Sequence, residues 1–327
     1  MNRLHFLPIF ILMAGAFAAI TMLVACGGSD HDTAAKVVTQ DEPLWHGWNR
    51  YQIPEEDTLA QYGYELIANT SQYLGPKGSV AQLSNGMNCQ NCHLEGGTAP
   101  WGNNYSAVAS TYPKFRDRSG SIETMSKRVN DCFERSLNGI ALDTNSVEMK
   151  AIEAYMHWLG KGIEKGKKPK GSGIMELALL DRAASPENGK KVYQEQCVTC
   201  HSPNGEGQLN AETGLYIYPP LWGPHSYNSG AGLFRLSRLA GYVKTNMPFG
   251  QTSWSKPRLT DAEAWDVAAY INSMPRPSKD LSKDWPDISK KPVDHPFGPY
   301  ADGFSEEQHK YGPFKPIVAA RKKQASP

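Results

Sequence analysis

Two short sequences restrict this chain more than its length or composition does: Cys89-Gln90-Asn91-Cys92-His93 and Cys197-Val198-Thr199-Cys200-His201. Cys-x-x-Cys-His attaches c-type haem. The two thiols bond to the vinyl groups and the adjacent histidine binds iron from the proximal side. One copy could reflect zinc binding or chance; two copies in similar surroundings argue for haem. The chain is expected to carry two covalently bound haem c groups. Cys89, Cys92, Cys197 and Cys200 are the attachment points, and His93 and His201 the proximal ligands.

The flanks repeat as well. Pro186 to Tyr193 reads as a helix upstream of the second motif, with Gly189 and Tyr193 one turn apart. Downstream, Thr260 and Glu263 form a capping-box pattern ahead of a helix from Ala264 to Met274. Around the first motif the matching helices run from Leu59 to Thr70, with Gly63 and Leu66 on it, and from Ser146 to Leu159. Ala154-Tyr155 corresponds to Ala269-Tyr270. This is an internal duplication with loop-length changes. The expected fold is all-α: two cytochrome c-like domains, 45–160 and 175–290, with an extended C-terminal tail, 291–327. From Pro275 onward the sequence is rich in Pro and aromatics and lacks helix periodicity, so it should lie across the domains and cover apolar surface. The Gly-, Lys- and Pro-rich segment 161–174 reads as a linker. It is either a solvated connector or a docking patch for an acidic redox partner.

The N-terminus reads as an export signal, 1–26. Arg3 and His5 precede an apolar run that ends Leu23-Val24-Ala25-Cys26. That ending fits a lipobox with Cys26 as the lipidated first residue; a plain signal peptide or an anchor helix is the other reading. A polar tether, 27–44, follows. A lipid anchor is the one membrane contact expected. Charge is balanced, with 34 Lys+Arg against 33 Asp+Glu, so no global field argues for nucleic acid.

With four of the six cysteines used by haem and Cys26 by the lipobox, Cys132 is left without a partner. It lies where the chain should cover the distal face of the first haem. A free thiol in an oxidising compartment is a liability, so Cys132 is expected to be the sixth ligand there, as a thiolate that lowers the potential. A buried inert thiol is the alternative. Met125, Met149 and Met156 fall in helical patterns as packing residues, and His157 should face outward. For the second haem, Met247 in Asn246-Met247-Pro248 is expected as the thioether ligand that raises the potential. Met274 and His225 are its rivals. Arg128 is one helical turn from Cys132, and Arg116, Arg118 and Arg135 lie nearby. Several cations beside a thiol lower its pKa and create an anion site. Their other roles would be haem propionates or pairing with Asp117, Asp131 and Glu134.

The segment Arg128-Val129-Asn130-Asp131-Cys132-Phe133-Glu134-Arg135-Ser136 resembles the distal-cysteine segment of the dihaem thiosulfate dehydrogenases, also called tetrathionate reductases. So do Tyr112-Pro113-Lys114-Phe115-Arg116 and, in the tail, Pro296-Phe297-Gly298-Pro299-Tyr300. The resemblance implies interconversion of two thiosulfates and one tetrathionate, with two electrons exchanged with a small c-type cytochrome or another periplasmic redox partner. It implies His93 and Cys132 as ligands of the active-site haem, and Arg118, Arg128 and Ser126 as substrate groups. Some relatives have a Lys before the second haem's Met; Asn246 stands here, which favours steady His/Met ligation. Two rival functions share the motifs: a dihaem electron carrier with no substrate, and the haem subunit of a multi-enzyme sulfur oxidation system.

Overall fold

The computed structural model describes residues 44–45 and 50–325. The expected export signal, Cys26 and nearly all of the tether lie outside them. Among the described residues no helix is long and apolar enough to cross a membrane.

Each half is built on a pair of crossed helices. Helix α1, Thr58–Ala68, begins where Asp57 accepts the N–H of Ala60 at 3.0 Å. The chain then runs through a two-stranded hairpin, β1 Lys114–Arg116 and β2 Ser121–Glu123, in antiparallel register with Phe115 opposite Ile122. Helices α2, Met125–Arg135, and α3, Val147–Leu159, follow. In the second half, α4 is Pro186–Gln196, with Ser185 as cap and proline at the first turn, where its missing N–H costs nothing. A short ribbon, β3 Gln208–Leu209 with β4 Tyr216–Tyr218, precedes α5, Leu236–Asn246, and α6, Asp261–Ser273. The capping box expected at Thr260 and Glu263 is formed: Thr260 Oγ1 accepts the Glu263 N–H, and Glu263 accepts the Thr260 N–H at 2.7 Å.

Glycine makes both crossings possible. A Cβ on Gly63 would stand 2.0 Å from the Ala151 carbonyl oxygen and 2.8 Å from Tyr155 Cβ. A Cβ on Gly189 would stand 1.8 Å from the Asp266 carbonyl oxygen and 2.9 Å from Tyr270 Cβ. The same residue types meet in the same way in both halves, which is the duplication in physical form. Two apolar cores surround these crossings. One holds Leu66, Ile67, Met149, Ile152, Tyr155 and Leu159; the other holds Tyr193, Leu236, Trp265, Val267 and Ile271.

The halves interlock. Tyr227, Ala231 and Phe234 come from the second half yet pack in the first core. Tyr242 donates its hydroxyl to the carbonyl of Asn91, inside the first haem motif, at 3.0 Å. Asn246 donates to the Trp101 carbonyl. Segment 161–174 has many exposed lysines, as a connector should, but its backbone is not free. Gly171 and Gly173 carbonyls accept the N–H groups of Trp101 and Asn103 at 2.7 and 2.8 Å.

The tail departs from expectation in part. Residues 275–304 form neither α-helix nor strand; they pass through turns at Leu281–Asp284 and Pro292–His295 and a 3-10 turn at Ile288–Lys290, and Phe297 stacks on Phe234. Two helices then close the chain, α7 Glu306–Tyr311 and α8 Lys315–Ala325. Ser305 caps α7, two glutamates complement its dipole, and Gly312-Pro313 stops it. Phe314 and Ile317 are buried in the second core.

Candidate active site

The first haem motif hangs from the end of the first helical segment. Thr70 Oγ1 accepts the Cys89 N–H at 2.9 Å, and Asn88 Oδ1 accepts the Ser71 N–H at 2.8 Å. After His93 the chain turns back through Gly97 at φ +85°, where a Cβ would stand 2.0 Å from the Tyr105 ring. That turn stacks Tyr105 on the His93 imidazole, with centroids 4.4 Å apart. His93 Nδ1 lies 2.5 Å from the Asn103 carbonyl oxygen. A carbonyl only accepts, so Nδ1 carries the proton and Nε2 keeps its lone pair for a metal. His201 is held in the same way, Nδ1 on the Pro219 carbonyl at 2.9 Å. Both histidines are thus presented as iron ligands, and the residues present fit covalently bound haem.

Across from His93, helix α2 delivers Cys132 to the same cavity. Arg128 Nη1 donates to its sulfur at 3.0 Å. Burial pushes this thiol's pKa up, but Arg128 and then His93 outweigh burial and bring it down to about 6. That shift favours the thiolate, the form of cysteine that binds metals and attacks sulfur. Cys89, Cys92, His93, Tyr105, Arg128 and Cys132 line one cavity of about 160 Å³. Met125 and Met156 close its walls as buried packing residues, and His157 is exposed, both as the sequence suggests.

The other expected substrate groups stand elsewhere. Arg118 does not line this cavity; its Nε and Nη2 both donate to Asp284 Oδ2, at 2.9 and 2.7 Å. Ser126 lies in the first turn of α2, 3.0 Å from Thr124 Oγ1, and is also absent from the lining. The structure instead brings in Ser136 and Tyr112. Ser136 continues the stripe of Arg128 and Cys132 at four-residue spacing, a signal present in the sequence. Lys114 lies with its Nζ 4.7 Å from the centre of the Tyr112 ring. Burial, followed by Arg116, Lys168 and Arg128, lowers its pKa to about 8.

In the second half, Met247 follows directly on α5 as its C-cap. It is partly buried against the second core and touches a small cluster with Leu94 and Tyr242. Its rival His225 is exposed, and Met274 caps the end of α6. Asn246, at the position of the alternative lysine, is committed to Trp101, Tyr242 and Thr245.

Comparison with known proteins identifies both halves of the chain. Residues 79–164 match the family model for the SoxA/TsdA cytochrome c domain, and residues 186–275 match that for cytochrome c. The chain is 39% identical to a thiosulfate dehydrogenase of Psychrobacter arcticus, over 82% of this chain and 78% of that one. It is 40% identical to a thiosulfate dehydrogenase of Allochromatium vinosum, over 65% of this chain and 79% of that one. The solved structure of the thiosulfate dehydrogenase TsdBA from Marichromatium purpuratum, in its as-isolated form, superposes with a TM-score of 0.66 at 30% identity. That match covers 77% of this chain and about half (52%) of the other. With two cytochrome c domains and these relatives, the chain belongs to the thiosulfate dehydrogenase family, as a dihaem c-type oxidoreductase acting on sulfur compounds.

Proposed function

We propose that this chain is an exported enzyme that interconverts two thiosulfates and one tetrathionate at the cavity between His93 and Cys132. The observation that carries the reading is the Cys132 sulfur, directed at His93 with Arg128 on it at 3.0 Å. A thiolate beside a fixed guanidinium suits chemistry on an anionic sulfur–sulfur bond.

His93 and Cys132 would hold the first haem iron, and His201 and Met247 the second. When bound, the two haems supply places for two electrons, one each. Arg128 binds the dianion, with Arg118 and Ser126 as outer groups, and Lys114 adds to the positive field. The Cys132 thiolate joins the outer sulfur of one thiosulfate, with loss of two electrons, to give a Cys-S-S-sulfonate. A second thiosulfate attacks the outer sulfur of that adduct, releasing tetrathionate and restoring the thiolate. Atoms and charge balance in both steps, and the reverse sequence reduces tetrathionate. The electrons leave to, or arrive from, a small c-type cytochrome or another periplasmic carrier. The export signal at residues 1–26, with Cys26 as a lipid anchor, places the enzyme outside the cytoplasm.

The test is a steady-state assay of the purified holoprotein in both directions: thiosulfate with an oxidant, tetrathionate with a reductant. Turnover of the free anions by the isolated chain is expected. Loss of activity in both directions would leave an electron carrier, or a subunit that needs a carrier protein and a haem partner.

A further inference from the structure

Arg118 is expected to meet the substrate, yet the structure commits it to a residue far away in sequence. Asp284 accepts both Nε and Nη2 of Arg118 on one oxygen, and Arg135 Nη2 on the other at 3.1 Å. The pair is largely shielded, with side chains 14% and 11% exposed. Arg135 in turn lies 3.6 Å from Asp131, and Asp131 pairs with Lys127 at 2.5 Å. Charges therefore alternate along the flank of helix α2, beside the face that carries Arg128 and Cys132.

Asp284 is not placed there by chance contact. The next residue, Trp285, donates its backbone N–H to the Arg118 carbonyl at 2.7 Å. Pro286 packs on Gly120, where a Cβ would stand 2.5 Å from Pro286 Cγ and φ is +64°. Only glycine lets the tail seat on the hairpin loop this closely. Burial and the fields of Arg135 and Arg128 all disfavour the charge on Arg118, and Asp284 opposes them. Without that carboxylate, two guanidiniums would repel Arg118 from its place. With it, the guanidinium is fixed through Nε and Nη2. The charge of Arg128 acts on Arg118, so an oxyanion held by one guanidinium lies in the field of the other.

We propose that Asp284, carried in by the C-terminal segment, is a positioning residue that fixes Arg118 for binding of the sulfur oxyanion, so that the anion site is completed from outside the first haem domain. This rests on the substrate reading above, and it adds a residue that the first domain alone cannot supply.

The test uses the full-length holoprotein and an unreactive sulfur dianion, dithionate, titrated by calorimetry, alongside thiosulfate kinetics. Asp284→Asn should weaken dithionate binding about tenfold and raise KM for thiosulfate by a similar factor, with kcat within about threefold. Asp284→Glu should restore most of the affinity. In an Arg118→Gln background, Asp284→Asn should have no further effect, because the two act as one unit. A merely structural role would give additive losses and no rescue. Wild-type affinity in Asp284→Asn, additive effects with Arg118→Gln, or no dithionate binding by the wild type overturns the proposal. If dithionate binds as expected but thiosulfate is not turned over, the anion site stands and the substrate reading fails.

Discussion

The guanidinium of Arg128 lies 3.0 Å from the sulfur of Cys132, one turn further along the same helix. A charge-assisted hydrogen bond to a partly buried anion is worth about 1.5–3 kcal/mol. Arg128→Met should therefore lower kcat/KM for thiosulfate by roughly ten- to a hundredfold while both haems remain attached. Steady-state kinetics together with the haem absorbance of the purified variant check this. An unchanged kcat/KM would remove Arg128 from the anion site.

Lys114 gives the activity a basic limb. Its pKa is lowered to about 8, by burial first and then by Arg116, Lys168 and Arg128. Below pH 8 it is cationic and adds to the field that attracts a dianion; above pH 8 it is neutral. KM for thiosulfate should rise as pH climbs through about 8. Lys114→Met should show the higher KM at all pH values and lose that limb. A wild-type pH profile that is flat across pH 8 contradicts this account.

The crossings at Gly63 and Gly189 leave no space for a methyl group, because the nearest atoms are backbone carbonyls. Gly63→Ala and Gly189→Ala should each force the helices apart and cost about 1–3 kcal/mol or more. Thermal unfolding of the two holoproteins measures it. Unchanged melting temperatures would mean that the crossing is looser than these distances imply.

His295 governs part of the acid stability. It is 5% exposed, and burial, then Lys291, with smaller pushes from Arg118 and Arg235, depress its pKa to about 4. In the unfolded chain a histidine titrates near 6.5. Between these values the unfolded state takes a proton that the folded state refuses. Stability is then full above about pH 6.5 and falls as pH drops toward 4, by at most about 3 kcal/mol. His295→Gln should flatten that limb of a plot of melting temperature against pH. The same acid slope in the variant would assign the loss to other groups.

Much of this architecture was written locally. The haem motifs and the orphan Cys132 are short-range patterns, and so are the glycine one turn from an aromatic and the Thr260–Glu263 box, which take the places that their spacing suggests. The contacts that escaped reading join distant segments. Asp284 meets Arg118 across 166 positions, and no periodicity or composition announces such a pair. The helix Glu306–Tyr311 was missed because six residues are too few for an apolar stripe, although its Ser305 cap and acidic first turn were in view. The segment 161–174 looked like a connector because its side chains are polar. Its role lies in its backbone, which pins the loop whose Asn103 carbonyl orients His93.

The central claim is that the sulfur of Cys132 is both the ligand opposite His93 and the atom that bonds to the substrate. The most direct measurement is thiosulfate oxidation by Cys132→Ala, purified with both haems attached. A fall in kcat of roughly a thousandfold or more, with loss of the thiolate signature from the first haem's spectrum, is the result this account requires. Full turnover by that variant would contradict it.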